Sequence, residues 1–215
     1  MIDLHTHTIY SDGVLIPAEL ARRARVKGYT ALAFTDHVDF SNLEFVLERL
    51  RVACETLADE LGMTLLPGVE LTHLPPALIG RGVEEARNLG AKIVVVHGES
   101  LVEPVAEGTN RAALEARADI LAHPGLLTEV EAEMAATNGV FLEITTRRGH
   151  ALSNGRVAAL ARKCGARLLL NNDAHAPADL VTDEMAASIA YGAGLSPEEW
   201  AGMRENARRL VEEKR

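Results

Sequence analysis

Nine residues spread along this chain are of the types that hold divalent metal ions: His5, His7, Asp12, His37, Glu70, His97, His123, Asp173 and His175. Six of the eight histidines are in the set. Imidazole mixed with carboxylate suits Zn, Mn or Fe and not Ca or Mg alone. Nine ligands exceed what one ion accepts, and they fill two or three sites if Glu70 bridges. Such a cluster can make water nucleophilic at neutral pH and neutralise an anionic substrate. The bland alternative is a group of strand-end polar residues that hydrogen-bond to one another.

Spacing favours the first reading. His5-Thr6-His7 ends the apolar run Met1-Ile2-Asp3-Leu4, and the strand period of two puts both imidazoles on one face. Five more apolar runs deliver a candidate ligand at or just past the C-terminal end: Ala31–Phe34 before Thr35-Asp36-His37, Leu65–Val69 before Glu70, Ile93–Val96 before His97, Ile120–Ala122 before His123, and Leu168–Asn172 before Asp173-Ala174-His175.

Seven strand runs, near residues 2, 31, 65, 92, 119, 140 and 167, alternate with helical patterns, which predicts βα units and parallel strands. Residues 42–61 give the clearest helix: Leu43, Val46, Leu47, Leu50, Cys54, Leu57 and Leu61 follow three-four spacing, with a capping-box pattern at Ser41 and Glu44. Thr128…Glu131 and Ser196…Glu199 mark further helix starts, and Gly28, Gly139 and Gly165 mark helix ends. A doubly wound open sheet shares this alternation, but it binds at one switch point between two strands. Ligands from the ends of many strands aimed at one centre are a barrel property. The expectation is an α/β chain folded as one domain over residues 1–215.

With 47% hydrophobic residues, a net charge of −9 and two cysteines, the composition is that of a globular domain without a disulfide framework. No apolar run reaches the roughly 20 residues that cross a bilayer, and no basic stretch followed by an apolar segment opens the chain. A cytoplasmic protein without a membrane partner is expected. The acidity argues against broad nucleic-acid binding, yet leaves a small phosphate substrate open, because bound cations would make the site itself positive.

The motifs Asp3-Leu4-His5-Thr6-His7, Ser11-Asp12-Gly13, Thr35-Asp36-His37, Gly68-Val69-Glu70, His97-Gly98-Glu99, His123-Pro124-Gly125, Leu142-Glu143-Ile144 and Asp173-Ala174-His175 follow one another in family order. In them the chain resembles the PHP (polymerase and histidinol phosphatase) superfamily, and within it the short histidinol-phosphatase-like proteins. The resemblance implies a distorted seven-stranded, TIM-like (β/α)7 barrel with a trinuclear metal site. It puts His5, His7, Glu70 and Asp173 on one ion, Glu70, His97 and His123 on a second, and Asp12, His37 and His175 on a third. Many relatives carry histidine where Asp12 stands. The implied activity is hydrolysis of a small phosphate monoester, such as histidinol phosphate, by metal-generated hydroxide. A nuclease or nucleotide phosphatase and a non-enzymatic metal-holding module are the competing readings, and the oligomeric state is left open.

Residues near the set carry further expectations. Asp36 points away from the metal of His37 and either orients an imidazole or transfers a proton; Asp3 invites the same reading. Arg147 and Arg148 follow the sixth strand and either clamp phosphate or lie in a solvated loop. Arg111 is a weaker phosphate candidate. His150 is positioned in sequence to protonate a leaving alkoxide, and Glu99 to act as an acid or base. Glu143 is a candidate acceptor behind a ligand, and His73 a surface or rim residue.

Overall fold

A computed structural model describes residues 1–215. The apolar runs become strands β1 (Ile2–Asp3), β2 (Ala31–Phe34), β4 (Thr64–Leu71), β5 (Ile93–His97), β6 (Ile120–Ala122), β7 (Phe141–Thr145) and β8 (Leu168–Asn171). They pair in parallel in the order β1–β2–β4–β5–β6–β7–β8. One extra strand, β3 (His37–Val38), resumes the line of β2 beside β4. The register survives the interruption, with Phe34 opposite Pro67 and His37 opposite Glu70. Glu70 N–H still donates to Asp36 O at 3.0 Å across the gap between β2 and β3.

The barrel nearly closes. No regular ladder joins β1 to β8; an isolated bridge pairs Thr6 with Ala174, and the His7 N–H donates to Ala174 O at 2.9 Å. Side chains complete the seam. Leu4 N–H donates to Asn171 Oδ1 at 2.9 Å, and the Asp3 carboxylate accepts from Asn172 N–H and from Asn172 Nδ2 at 2.7 Å. Asp3 thus braces the seam; its expected role toward an imidazole is not seen in these contacts.

Helices α1 (Pro17–Val26), α2 (Leu43–Leu61), α3 (Pro76–Asn88), α4 (Thr109–Glu115), α5 (Glu129–Asn138), α6 (Asn154–Cys164), α7 (Asp183–Gly192) and α8 (Pro197–Lys214) complete the chain. Capping boxes form at Thr128/Glu131 and Ser196/Glu199, and Gly139 and Gly165 end α5 and α6 in the left-handed conformation. The Ser41/Glu44 box does not form: Ser41 turns to Asp39, and Asn42 stands at the N-cap without a side-chain cap bond. None of the helices is long and apolar enough to cross a membrane.

Alternation along the strands makes two apolar layers. One packs strands against the outer helices. The other fills the barrel interior with Leu4, Ala31, Ala33, Leu66, Ile93, Val95, Ile120, Ala122, Phe141 and Leu169, and it is continued by Ala207, Leu210 and Val211 of α8. Helix α8 therefore covers the end of the barrel where the strands begin.

Candidate metal centre

The period that fills the interior also builds the site. Two residues beyond inward Val95 comes His97, two beyond Phe141 comes Glu143, and four beyond Leu66 and Leu169 come Glu70 and Asp173. The apolar floor thus continues upward into polar groups at the strand ends. His123 breaks the pattern, since it directly follows inward Ala122. Its φ of +26°, and that of +51° at Asp173, are left-handed values that re-aim the chain at the cost of about 1–3 kcal/mol each.

All nine candidate ligands meet in one contiguous cluster. His5 Nε2 lies 3.2 Å from Glu70 Oε1 and 3.7 Å from Asp173 Oδ1, and His7 Nε2 is 3.1 Å from Asp173 Oδ1. His37 Nδ1 is 2.6 Å from Glu70 Oε2. His123 Nε2 is 3.6 Å from Asp173 Oδ2, and the His97 ring meets it edge-on at 4.5 Å between centroids. Asp12 faces His175 Nε2 at 3.0 Å and His37 Nε2 at 3.4 Å. Donor atoms of His5, His7 and Glu70, of His5, His123 and Asp173, and of His7, Asp12, His37 and His175 form groups tight enough to hold an ion.

Most of these side chains are fully buried, yet His5 Nε2, both ring nitrogens of His7, His123 Nδ1 and Glu70 Oε1 lack a hydrogen-bond partner. Unpaired buried donors and acceptors cost about 1–3 kcal/mol each. So many in one place, all of ligand type, fit a metal-binding cage. Behind it, Glu143 Oε2 holds His5 Nδ1 at 2.8 Å, as a partner that orients a ligating imidazole should. Glu143→Gln is expected to weaken metal affinity about 10- to 100-fold with the fold intact, measured by competition against a chelating dye.

Other candidates divide. Asp36 accepts from Thr8 N–H, Thr8 Oγ1 and Ser11 Oγ at 2.7–2.8 Å, so it fixes the loop leading to Asp12 and hydrogen-bonds no imidazole. Glu99 accepts from Gly108 N–H and Asn110 N–H at the start of α4 and is spent there. Arg111 points outward to Glu115. Arg147 does approach the cluster, with Nε 3.6 Å from Asp173 and Nη1 3.4 Å from Asp179. Exposed Arg148 shares a cavity of about 700 Å³ with Arg147, His150, Asn172 and Asp179. His150 is buried and stacks on His123 at 4.1 Å. Sequence reasoning missed Glu103, whose carboxylate meets His97 at 3.1 Å, His150 at 3.3 Å and the rim residue His73 at 3.5 Å.

A family model for the PHP domain matches residues 3–127, more than half of the chain. This chain belongs to the PHP domain family. It is 51% identical over 201 residues to an uncharacterized protein of Methanocaldococcus jannaschii, covering 92% of this chain and 91% of that one. Among solved structures, a chain of archaeal ribonuclease P with mature tRNA aligns with a TM-score of 0.75 at 17% identity, covering 100% of this chain and 91% of that one. A metal-dependent tyrosine phosphatase structure, from work on Bacillus subtilis YwqE and Streptococcus pneumoniae CpsB, aligns with a TM-score of 0.67 at 18% identity, over 100% and 96%. These two likenesses establish the shared barrel.

In the PHP cluster, burial and the neighbouring carboxylates pull in opposite directions. Burial alone would lower His37, but Glu70 and Asp12 outweigh it and raise the imidazole to about 10. His5 is likewise lifted by Glu143 and Glu70 against its burial. His7 and His123 are held low by burial and by the adjacent imidazoles His37 and His97. A raised imidazole still carries its proton at pH 8, and a ligating one must lose it. Metal uptake at pH 8 is therefore expected to release at least one proton per chain, and affinity to climb as pH rises toward 10. A pH-stat titration checks this; uptake without acid release would contradict it.

Proposed function

We propose that this PHP chain, taken as one domain over residues 1–215, is a metal-dependent phosphoesterase that hydrolyses a small phosphate monoester. The observation that carries the reading is the knot of buried, unpartnered imidazole nitrogens and carboxylate oxygens at the strand ends. Two to three ions of Zn, Mn or Fe would be held by His5, His7, Glu70 and Asp173, by Glu70, His97 and His123, and by Asp12, His37 and His175. Such ions make water nucleophilic at neutral pH and neutralise phosphate oxygens.

The protein's own groups account for binding. Arg147 and Arg148 stand at the cavity beside the cluster and supply guanidinium donors for phosphate. Asp179 lines the same cavity and would receive a cationic group on the substrate. A wall carrying both signs supports an aminoalkyl phosphate of the histidinol-phosphate kind. Replacing Arg147 by Ala is expected to raise KM about tenfold, the worth of one charge-assisted hydrogen bond, with a smaller change in kcat; an unaltered KM would remove the residue from phosphate binding.

A panel of phosphate mono- and diesters, including nucleotides and short RNA, assayed with added Mn, Zn or Fe, tests the proposal. Metal-dependent release of phosphate from aminoalkyl monoesters is the expected result. Preference for nucleotide or RNA substrates would replace the substrate class, and inactivity with every metal and ester would overturn the activity.

A further inference from the structure

Beside the nine-residue set lies a second grouping that no family motif above includes: His150 and Glu103, packed against His97 and His123. We propose that Glu103 and His150 are additional metal ligands, joining His97 and His123 on the β5–β7 side of the cage. The inference rests on the metal dependence proposed above and extends it to this chain's own loops.

Geometry is the first support. One nitrogen from each of His97, His123 and His150 lies within 4.8 Å of the others. Glu103 spans two of them, with Oε2 3.1 Å from His97 Nε2 and Oε1 3.3 Å from His150 Nε2. Donors that share an ion at about 2.1 Å stand about 3.0–3.4 Å apart in octahedral or tetrahedral arrangement. Three imidazoles suit Zn, Mn or Fe, and Glu103 brings a carboxylate against two of them.

Orientation is the second. His150 is buried, with Nδ1 anchored by the Ser100 hydroxyl and Nε2 turned toward Glu103. His5 shows the same disposition, its Nδ1 anchored by Glu143 and its Nε2 facing Glu70. Fixing the outer nitrogen is how proteins present the inner one to an ion. On this proposal the inner nitrogen of His150 faces an ion, in place of the leaving alkoxide that its sequence position invites.

The third support is the loop that carries Glu103. At one end, Gly98 N–H donates to Ala122 O, and a Cβ at Gly98 would sit 2.2 Å from that same oxygen, so only glycine permits the approach. Toward the other end, Glu99 accepts from Gly108 and Asn110 and ties the loop to the start of α4. A loop cinched at both ends holds Glu103 over the histidines. Nearby, His123 Nδ1 is buried without a partner.

Equilibrium titration of the metal-free protein with Co²⁺, followed by visible absorption and by elemental analysis after dialysis, separates the outcomes. Glu103→Gln and His150→Gln are each expected to weaken one class of ion at least tenfold and alter its Co²⁺ spectrum, leaving the other class bound as in wild type. Glu103 is on a half-exposed loop, so its variant folds whatever becomes of His150→Gln; circular dichroism verifies both. Wild-type affinity and spectrum in folded Glu103→Gln would overturn this inference alone, as would the same result in folded His150→Gln. A wild-type protein that takes up no metal would overturn the proposed function as well.

Discussion

Asp173→Asn should abolish turnover and at the same time make the metal-free protein harder to unfold at pH 8. Burial, aided by Glu70, pushes the Asp173 carboxyl up to about 7 in spite of His5. An acid whose folded pKa exceeds its unfolded value costs stability as pH rises from about 4, where the unfolded form ionises, through about 7, where the folded form does. At pH 8 the metal-free fold bears that full penalty, and the neutral amide removes it. Even half of the displacement is about 2 kcal/mol, or roughly 4–8 °C for a chain of this size. The same change deletes the carboxylate that faces His5, His7 and His123. Losing several kcal/mol of metal-borne stabilisation corresponds to at least about a 10³-fold fall in kcat. Thermal unfolding of metal-free protein and a phosphatase assay of the reloaded protein check the pair. Undiminished activity would count against the metal assignment, and a lower melting temperature against the buried-charge account.

Stripping divalent ions from the wild type should have the opposite thermal effect. Each ion held at a thousandfold over its dissociation constant contributes about 4 kcal/mol, which is roughly 8–16 °C here. The loss should be uneven. His5 and His7 stand on the β1 side of the seam and Asp173 and His175 on the β8 side, where a single backbone bridge joins the two. Hydrogen exchange after chelation should rise first in residues 2–8 and 171–176. Equal loosening of β4 and β5, which share a regular ladder, would show that the ions do not span the seam.

The elements and the ligand cluster were legible because strand period and strand ends are written in hydrophobic pattern. Glu70 and His97 inherit their direction from the apolar residues below them. What lay beyond the strands was not legible. Glu99 lies two residues past His97, but period loses meaning where the chain turns at Gly98, and its carboxylate accepts from Gly108 and Asn110 N–H at the start of α4 instead. Glu103 carries no such signal: it is one acidic residue among several on a loop, and only the fold sets it against three histidines. Asp36 stands beside a ligand, yet the backbone and hydroxyl of Thr8 and the hydroxyl of Ser11 claim it. His37, three residues past the apolar run of β2, sits in a short strand of its own that keeps the register of β2 beside β4.

Because α8 stoppers the barrel and its lumen is filled with aliphatic and aromatic side chains, there is no back door. On the proposed activity, inorganic phosphate and the released alcohol would have to leave through the mouth by which the ester arrives. Turnover would then be a queue at one entrance, in which a departing anion competes with the incoming one for the guanidinium groups proposed to bind it.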